Sequence, residues 1–184
     1  AESTIVKARE IMKCDLYQVY GLTETTGAIT MMMPDDHNPE RGKLRSCGKA
    51  LKGVELKVID DDGNDLETGE IGEVISKSKL NMKGYWNKPD ATKESIVDGW
   101  FYSGDAGFFD EEGFLFIHDR VKDMIVSGGD NIYPAEVENA LMSHDEILDA
   151  AVVGVPDEKW GESVKGFVVV GESSLSEEEI ISYT

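Results

Sequence analysis

The chain has 184 residues, 40% of them hydrophobic, and its 18 basic against 37 acidic residues give a formal charge of -19. That length accommodates one sizeable domain or parts of two with a packed core, while so negative a field repels polyanions and argues against a nucleic-acid partner. No run approaches the roughly 18 apolar residues that span a bilayer, Ala1-Glu2-Ser3-Thr4 lacks the basic-then-apolar form of an export signal, and Cys14 and Cys47 make no Cys-x-x-Cys pair. The expectation is a soluble protein of the reducing cytoplasm, with no transmembrane segment, disulfide framework or zinc site. His37, His118 and His144 are scattered and read as surface or strand-face residues without a role.

In chain order, Ile5, Val6, Ala8, Ile11 and Met12 recur at near-helical spacing and predict a short helix over residues 3–13. The stretch Tyr20-Gly21-Leu22-Thr23-Glu24-Thr25-Thr26-Gly27 sets a hydroxyl and a carboxylate side by side beyond a glycine turn. That pairing suits a magnesium-bound phosphate, although glycine followed by threonines is also ordinary turn chemistry. Val54, Leu56 and Val58 alternate with charged residues, then Asp60-Asp61-Asp62-Gly63-Asn64 turns the chain before Gly72-Glu73-Val74-Ile75, which predicts a hairpin or meander. A calcium loop is disfavoured there, because its glycine belongs at the sixth position and Gly63 is the fourth from Asp60.

A second hairpin is predicted from Gly107-Phe108-Phe109, the turn Asp110-Glu111-Glu112-Gly113 and Phe114-Leu115-Phe116-Ile117, with Gly113 suited to positive φ. From Pro134 the pattern is helical: proline fits the first turn, Glu136 complements the dipole, and Val137, Ala140 and Leu141 share a face. Residues 150–155 and 166–170 read as buried strands, giving a small α+β unit that begins near Val121. Ser176-Glu177-Glu178-Glu179 has the form of a capping box opening a helix. A chain that opens inside one domain and stops at Thr184 with that helix barely begun predicts a fragment.

Three motifs stand in a fixed order: the Tyr20 stretch, Trp100-Phe101-Tyr102-Ser103-Gly104-Asp105, and Asp119-Arg120-Val121-Lys122-Asp123. With Gly69-Glu70-Ile71-Gly72-Glu73, Gly84-Tyr85-Trp86-Asn87-Lys88-Pro89, the run from Ser127 to Glu138 and Val153-Gly154-Val155-Pro156-Asp157-Glu158, the chain resembles the adenylate-forming (AMP-binding) enzymes from about Tyr17 to Lys165. Asn131-Ile132-Tyr133-Pro134-Ala135-Glu136-Val137-Glu138 is more similar to acyl-CoA synthetases, including fatty-acid CoA ligases, than to peptide-synthetase adenylation domains. The resemblance implies an α+β fragment of a mixed α/β parent: residues 1–120 as the end of the large domain with barrel-like β-hairpins, and 121–184 as the start of the small mobile C-terminal domain.

The activity implied is joining a small-molecule carboxylic acid to ATP, with release of pyrophosphate, then transfer of the acyl group from AMP to coenzyme A. Alternatives are a carrier-protein-loading or luciferase-like enzyme, and a non-catalytic nucleotide-binding module. By the same resemblance Glu24 holds the magnesium ion, Thr23 contacts phosphate, and Tyr20 with Gly21 lies against adenine, with core packing as the other reading of Tyr20. Asp105 accepts the ribose hydroxyls. Ser103 stands where threonine is more usual. Arg120 reaches ribose or phosphate, or else pairs with Asp119 or Asp123 at the surface. Ile117 packs against adenine, or is an ordinary strand residue; Gly128 and Gly129 approach the pantetheine of coenzyme A, or simply turn the chain. Lys122 marks a hinge, or is a solvated lysine. The triphosphate-binding loop and the catalytic lysine of such enzymes match nothing in these 184 residues, so the missing remainder of the large domain is a required partner and this chain alone is expected to be inactive.

Overall fold

The computed structural model describes residues 2–171 and 175–183, so the outermost residues of both expected domain ranges, Ala1 and Thr184, lie outside the described residues. The near-helical apolar spacing of the first segment does form a helix, α1 (Glu2–Met12). Strands β1 (Gln18–Leu22), β2 (Gly27–Met32) and β3 (Lys49–Ala50) follow as an antiparallel three-stranded sheet in that order. The two predicted hairpins are present and belong to one larger sheet. It contains β4 (Glu55–Ile59), β5 (Gly72–Lys77), β6 (Ile96–Val97), β7 (Trp100–Phe109) and β8 (Leu115–Arg120), in the order β4-β5-β7-β6 with β8 also on β7. Helix α2 (Pro89–Ser95) precedes β6, with proline in its first turn where a missing N–H costs nothing.

Alternation sets which face is buried. Val58, Val74 and Leu115 form a cluster on which Tyr20, Leu56, Leu66, Phe109 and Ile117 pack. Removing each such aliphatic side chain from water contributes about 1.5–3 kcal/mol. Leu115 also ties the two sheets together through backbone: its carbonyl accepts the Cys47 N–H at 2.7 Å and the Ser46 hydroxyl at 2.8 Å, and its N–H donates to the Gly48 carbonyl at 2.9 Å.

Contacts divide the chain into two compact units, one running to Ile117 and the other from His118 onward, so the division falls inside β8. The second unit contains β9 (Ile125–Ser127), β10 (Asp130–Ile132), α3 (Pro134–Leu141), β11 (Ile147–Asp157), β12 (Gly161–Val170) and α4 (Glu177–Tyr183). Its sheet runs β10-β9-β12-β11. Ile125, Leu141, Ile147 and Val152 are its buried centre, with Val137 and Ile180 among the residues packed on them. The predicted capping box is formed: Glu179 accepts the Ser176 N–H at 2.9 Å while the Ser176 hydroxyl accepts the Glu179 N–H at 3.3 Å.

Three expectations are corrected. The strands after α3 are longer than expected and buried on one face only, since Leu148, Phe167 and Val169 are exposed; a run of valines reads the same whether one face or both are covered. The small α+β unit, expected in the order strand, helix, strand, strand, opens with the two-stranded β9–β10 hairpin before its helix. His37 is neither surface nor strand-face: it is buried in a 3-10 turn, its Nδ1 2.9 Å from the Met33 carbonyl.

Candidate functional site

Gly21 is not a turn residue. It lies within β1, where a β-bulge between Tyr20 and Gly21 pairs Tyr20 with Thr30 and Gly21 with Ala28. A Cβ at Gly21 would lie 2.0 Å from the Gly27 carbonyl oxygen, so close approach of two backbones, and not positive φ, demands glycine here. The turn comes afterwards, as the 3-10 segment Thr23–Thr25, and its geometry is fixed by Thr25, which is fully buried. The Thr25 hydroxyl accepts the Leu22 N–H at 2.9 Å and lies 2.7 Å from the Gly27 carbonyl as donor. Thr23 is exposed and Glu24 half-buried on this turn.

Asp105 reaches the same region by another irregularity. Tyr102 pairs with Ile75 and Ala106 with Glu73, so Ser103, Gly104 and Asp105 all stand opposite Val74. Such a bulge bends the strand and re-aims its side chains. It is pinned by the Ser103 hydroxyl, which donates to the Val74 carbonyl at 2.6 Å and accepts the Asp105 N–H at 3.0 Å. Gly104, at φ 72, supplies the left-handed residue, and its N–H donates to Glu73 at 2.9 Å. Serine therefore meets every bond that the bulge asks of a hydroxyl.

The structure brings Tyr20 and Asp105 together: the phenol donates to Asp105 Oδ2 at 2.6 Å. Burial, then this carboxylate, pushes the Tyr20 hydroxyl far above the ordinary tyrosine range. Asp105 itself is buried. Burial also pushes the Glu73 carboxyl up, with the negative charges of Asp105 and Asp61 adding to it against the Gly104 N–H. A second pairing joins Glu24 to Tyr85, whose hydroxyl donates to Glu24 Oε1 at 2.8 Å. Burial and then Glu24 raise the Tyr85 hydroxyl above its usual value. Ile117 packs on the Val58, Val74 and Leu115 cluster together with Tyr20.

Arg120, Lys122, Gly128 and Gly129 belong to the second unit. The Arg120 N–H donates to Asp119 Oδ1 at 2.8 Å, and Asp119 Oδ2 accepts the Ala135 N–H at 2.9 Å in the first turn of α3. Lys122 is exposed in the short 3-10 segment Val121–Asp123. Asp119, Lys122, Glu138 and Glu162 line a polar cavity of about 380 Å³, in which Glu138 accepts the Val152 N–H and Glu162 the Val126 N–H, each at 2.9 Å. Gly128 and Gly129, at φ 63 and 99, form the two-residue turn between β9 and β10. Trp160 covers this turn, its ring 2.7 Å from where a Gly128 Cβ would lie, and its carbonyl accepts the Gly128 N–H at 2.9 Å.

Among the described residues no group of three or more His, Cys, Asp or Glu side chains could hold a metal ion. A lone carboxylate such as Glu24 fits magnesium, which keeps several waters and takes one or two carboxylates plus substrate phosphates. Tyr85 and Glu73 received no role from the sequence. Both stand inside recurrent motifs, and only that membership could have flagged them, because their partners lie far away along the chain. No helix among the described residues is long and apolar enough to cross a membrane.

Residues 1–86 match the family described as AMP-binding enzyme, and residues 136–184 match the AMP-binding enzyme C-terminal domain. The fatty acid–(acyl-carrier-protein) ligase ScoC of Streptomyces coeruleorubidus is 44% identical over 92% of this chain and 33% of its own length. The long-chain-fatty-acid–CoA ligase FadD13 of Mycobacterium tuberculosis is 41% identical over 97% of this chain and 35% of its own. The chain thus spans only a third or so of these curated relatives. O-succinylbenzoate coenzyme A synthetase of Bacillus subtilis, solved with AMP, superposes at TM-score 0.87 with 37% identity, over 100% of this chain and 36% of that one. The same enzyme has been solved with ATP and magnesium ion, at TM-score 0.86 and 38% identity, over 98% of this chain and 36% of that one.

Proposed function

Because this chain belongs to the AMP-binding enzymes, we propose that it is the C-terminal part of an ATP-dependent acyl-CoA synthetase, which activates a fatty or related carboxylic acid as its adenylate and passes it to coenzyme A. The observation that carries this reading is the convergence of two irregular strands. A bulge in β7 aims Asp105, the register shift in the β1–β2 pairing and the turn after β1 present Tyr20 and Glu24, and the pair Tyr20–Asp105 locks the two sheets at that point.

In this reading Asp105 accepts ribose hydroxyls, Tyr20 and Ile117 border the adenine, and Thr23 binds phosphate. Glu24 holds magnesium, whose contribution when bound is neutralisation of phosphate charge. Arg120 adds a fixed guanidinium to the nucleotide, the Gly128–Gly129 turn accommodates pantetheine, and Lys122 is the pivot between the two half-reactions. Two free cysteines, Cys14 and Cys47, fit the cytoplasm as compartment. The 184 residues, supplying a third of such an enzyme, are proposed to be inactive alone.

The test is carboxylate-dependent pyrophosphate exchange by the full-length enzyme. Asp105→Ala and Glu24→Gln should each lower it about thirtyfold, since losing a charged hydrogen-bond partner costs on the order of 2 kcal/mol. Normal exchange in both folded variants would refute the site. A second reading, transfer to a carrier protein, is favoured by the 44% identity to ScoC. Thioester formation with free coenzyme A against a phosphopantetheinylated carrier protein separates the two.

A further inference from the structure

Glu24 is held from outside its own turn. The Met82 N–H donates to the Glu24 carbonyl at 2.6 Å, the Thr26 hydroxyl donates to the Leu80 carbonyl at 2.6 Å, and the Tyr85 phenol donates to Glu24 Oε1 at 2.8 Å. Three bonds from one loop thus grip one short turn, and the last acts on the carboxylate itself. The loop is stiff where it matters. The Tyr85 N–H donates to Thr92 Oγ1 at 2.9 Å, and the Thr92 hydroxyl donates onward to the Lys88 carbonyl at 2.8 Å in the first turn of α2. Gly84, at φ 149, lets the loop lie against Thr92, whose Cγ2 would be 2.6 Å from any Cβ there. Of the adjacent aromatics, Trp86 is 89% exposed, whereas Tyr85 turns inward onto Glu24.

We propose that Tyr85 is a positioning residue for the Glu24 carboxylate: its hydroxyl occupies Oε1, fixes rotation of the carboxyl group, and reserves Oε2 for a hydrated divalent cation carried by the nucleotide. This rests on the reading of Glu24 as the magnesium residue. A carboxylate with a fixed partner on one oxygen binds metal without first surrendering rotational freedom, and loss of such outer partners typically weakens metal binding 10–100-fold.

The test uses the full-length enzyme with Mn2+ as the probe, free Mn2+ being read by electron paramagnetic resonance in the presence of ATP. Tyr85→Phe keeps the ring and removes the hydroxyl. It should weaken Mn2+ in the ternary complex about tenfold, leave metal-free ATP binding unchanged, and lower kcat with little change in KM for the acid. Combining Tyr85→Phe with Glu24→Gln should add little to the loss from Glu24→Gln alone. If Glu24→Gln weakens Mn2+ binding but Tyr85→Phe does not, the inference fails while the reading of Glu24 stands. If neither does, the reading of Glu24 fails and takes the inference with it. Additive losses in the double variant would place the effect of Tyr85 elsewhere and overturn the proposal.

Discussion

Tyr20 combines two duties that the sequence presented as alternatives: its ring packs on the core cluster and its hydroxyl meets Asp105. Tyr20→Phe keeps the packing and leaves a buried carboxylate short of one donor. It should therefore destabilise the full-length protein by about 1–3 kcal/mol, read as a lower urea midpoint at unchanged m. The pH dependence has a definite sign. The folded protein keeps the Tyr20 proton to higher pH than the unfolded chain, whose tyrosine titrates near about 10, so this contribution is intact below that value and is lost as pH rises through the folded one. Tyr20→Phe should flatten the alkaline decline in stability relative to wild type. An equally steep decline would show that the folded protein does not hold the Tyr20 hydroxyl above its ordinary range. Tyr20 itself was visible in its motif. Its partner was not, since the two stand 85 positions apart and nothing in the spacing encodes a bond between them.

Alternation made the first hairpin legible and turn chemistry the second: Val54, Leu56 and Val58 alternate with charged residues, whereas Gly107 to Ile117 is two apolar runs broken by a turn that ends in glycine. Irregularities were not legible. A bulge obeys no period, so the register shifts at Tyr20 and Asp105 that aim the candidate site were hidden, and Gly21 was misread as a turn for the same reason. Two local tests follow. Gly128→Ala forces a side chain into positive φ and onto the Trp160 ring, whereas Gly129→Ala meets open space. Both should lower thermal stability, Gly128→Ala more, by about 1–3 kcal/mol. At the Asp110 turn, burial opposes ionisation of the carboxyl, but the Lys43 ammonium and the Phe114 N–H outweigh it and hold Asp110 below its usual range. That contribution is present above the unfolded carboxylate value and is lost as pH falls through the folded one. Lys43→Met should shrink the acid-induced loss of stability, and an unchanged acid limb would show the cluster to be neutral.

The short 3-10 segment carrying Lys122 lies just beyond the division between the two units, which is where the proposed reading puts its pivot. Proline fits the φ of a 3-10 segment, near -65°, and resists rotation away from it. In the full-length enzyme, Lys122→Pro should slow thioester formation from preformed acyl-adenylate more than it slows adenylation. Equal loss in both half-reactions would place the pivot elsewhere. The contact between Trp160 and the Gly128 turn has an optical consequence. The sequence holds three tryptophans, of which Trp86 and Trp100 lie in the first unit and Trp160 in the second. Replacing Trp86 and Trp100 by phenylalanine would leave this stretch with a single tryptophan, seated on the glycine turn, half-exposed and beside the Lys159 ammonium. Its emission would then report directly on whatever approaches that turn, turning a packing contact into a built-in light source.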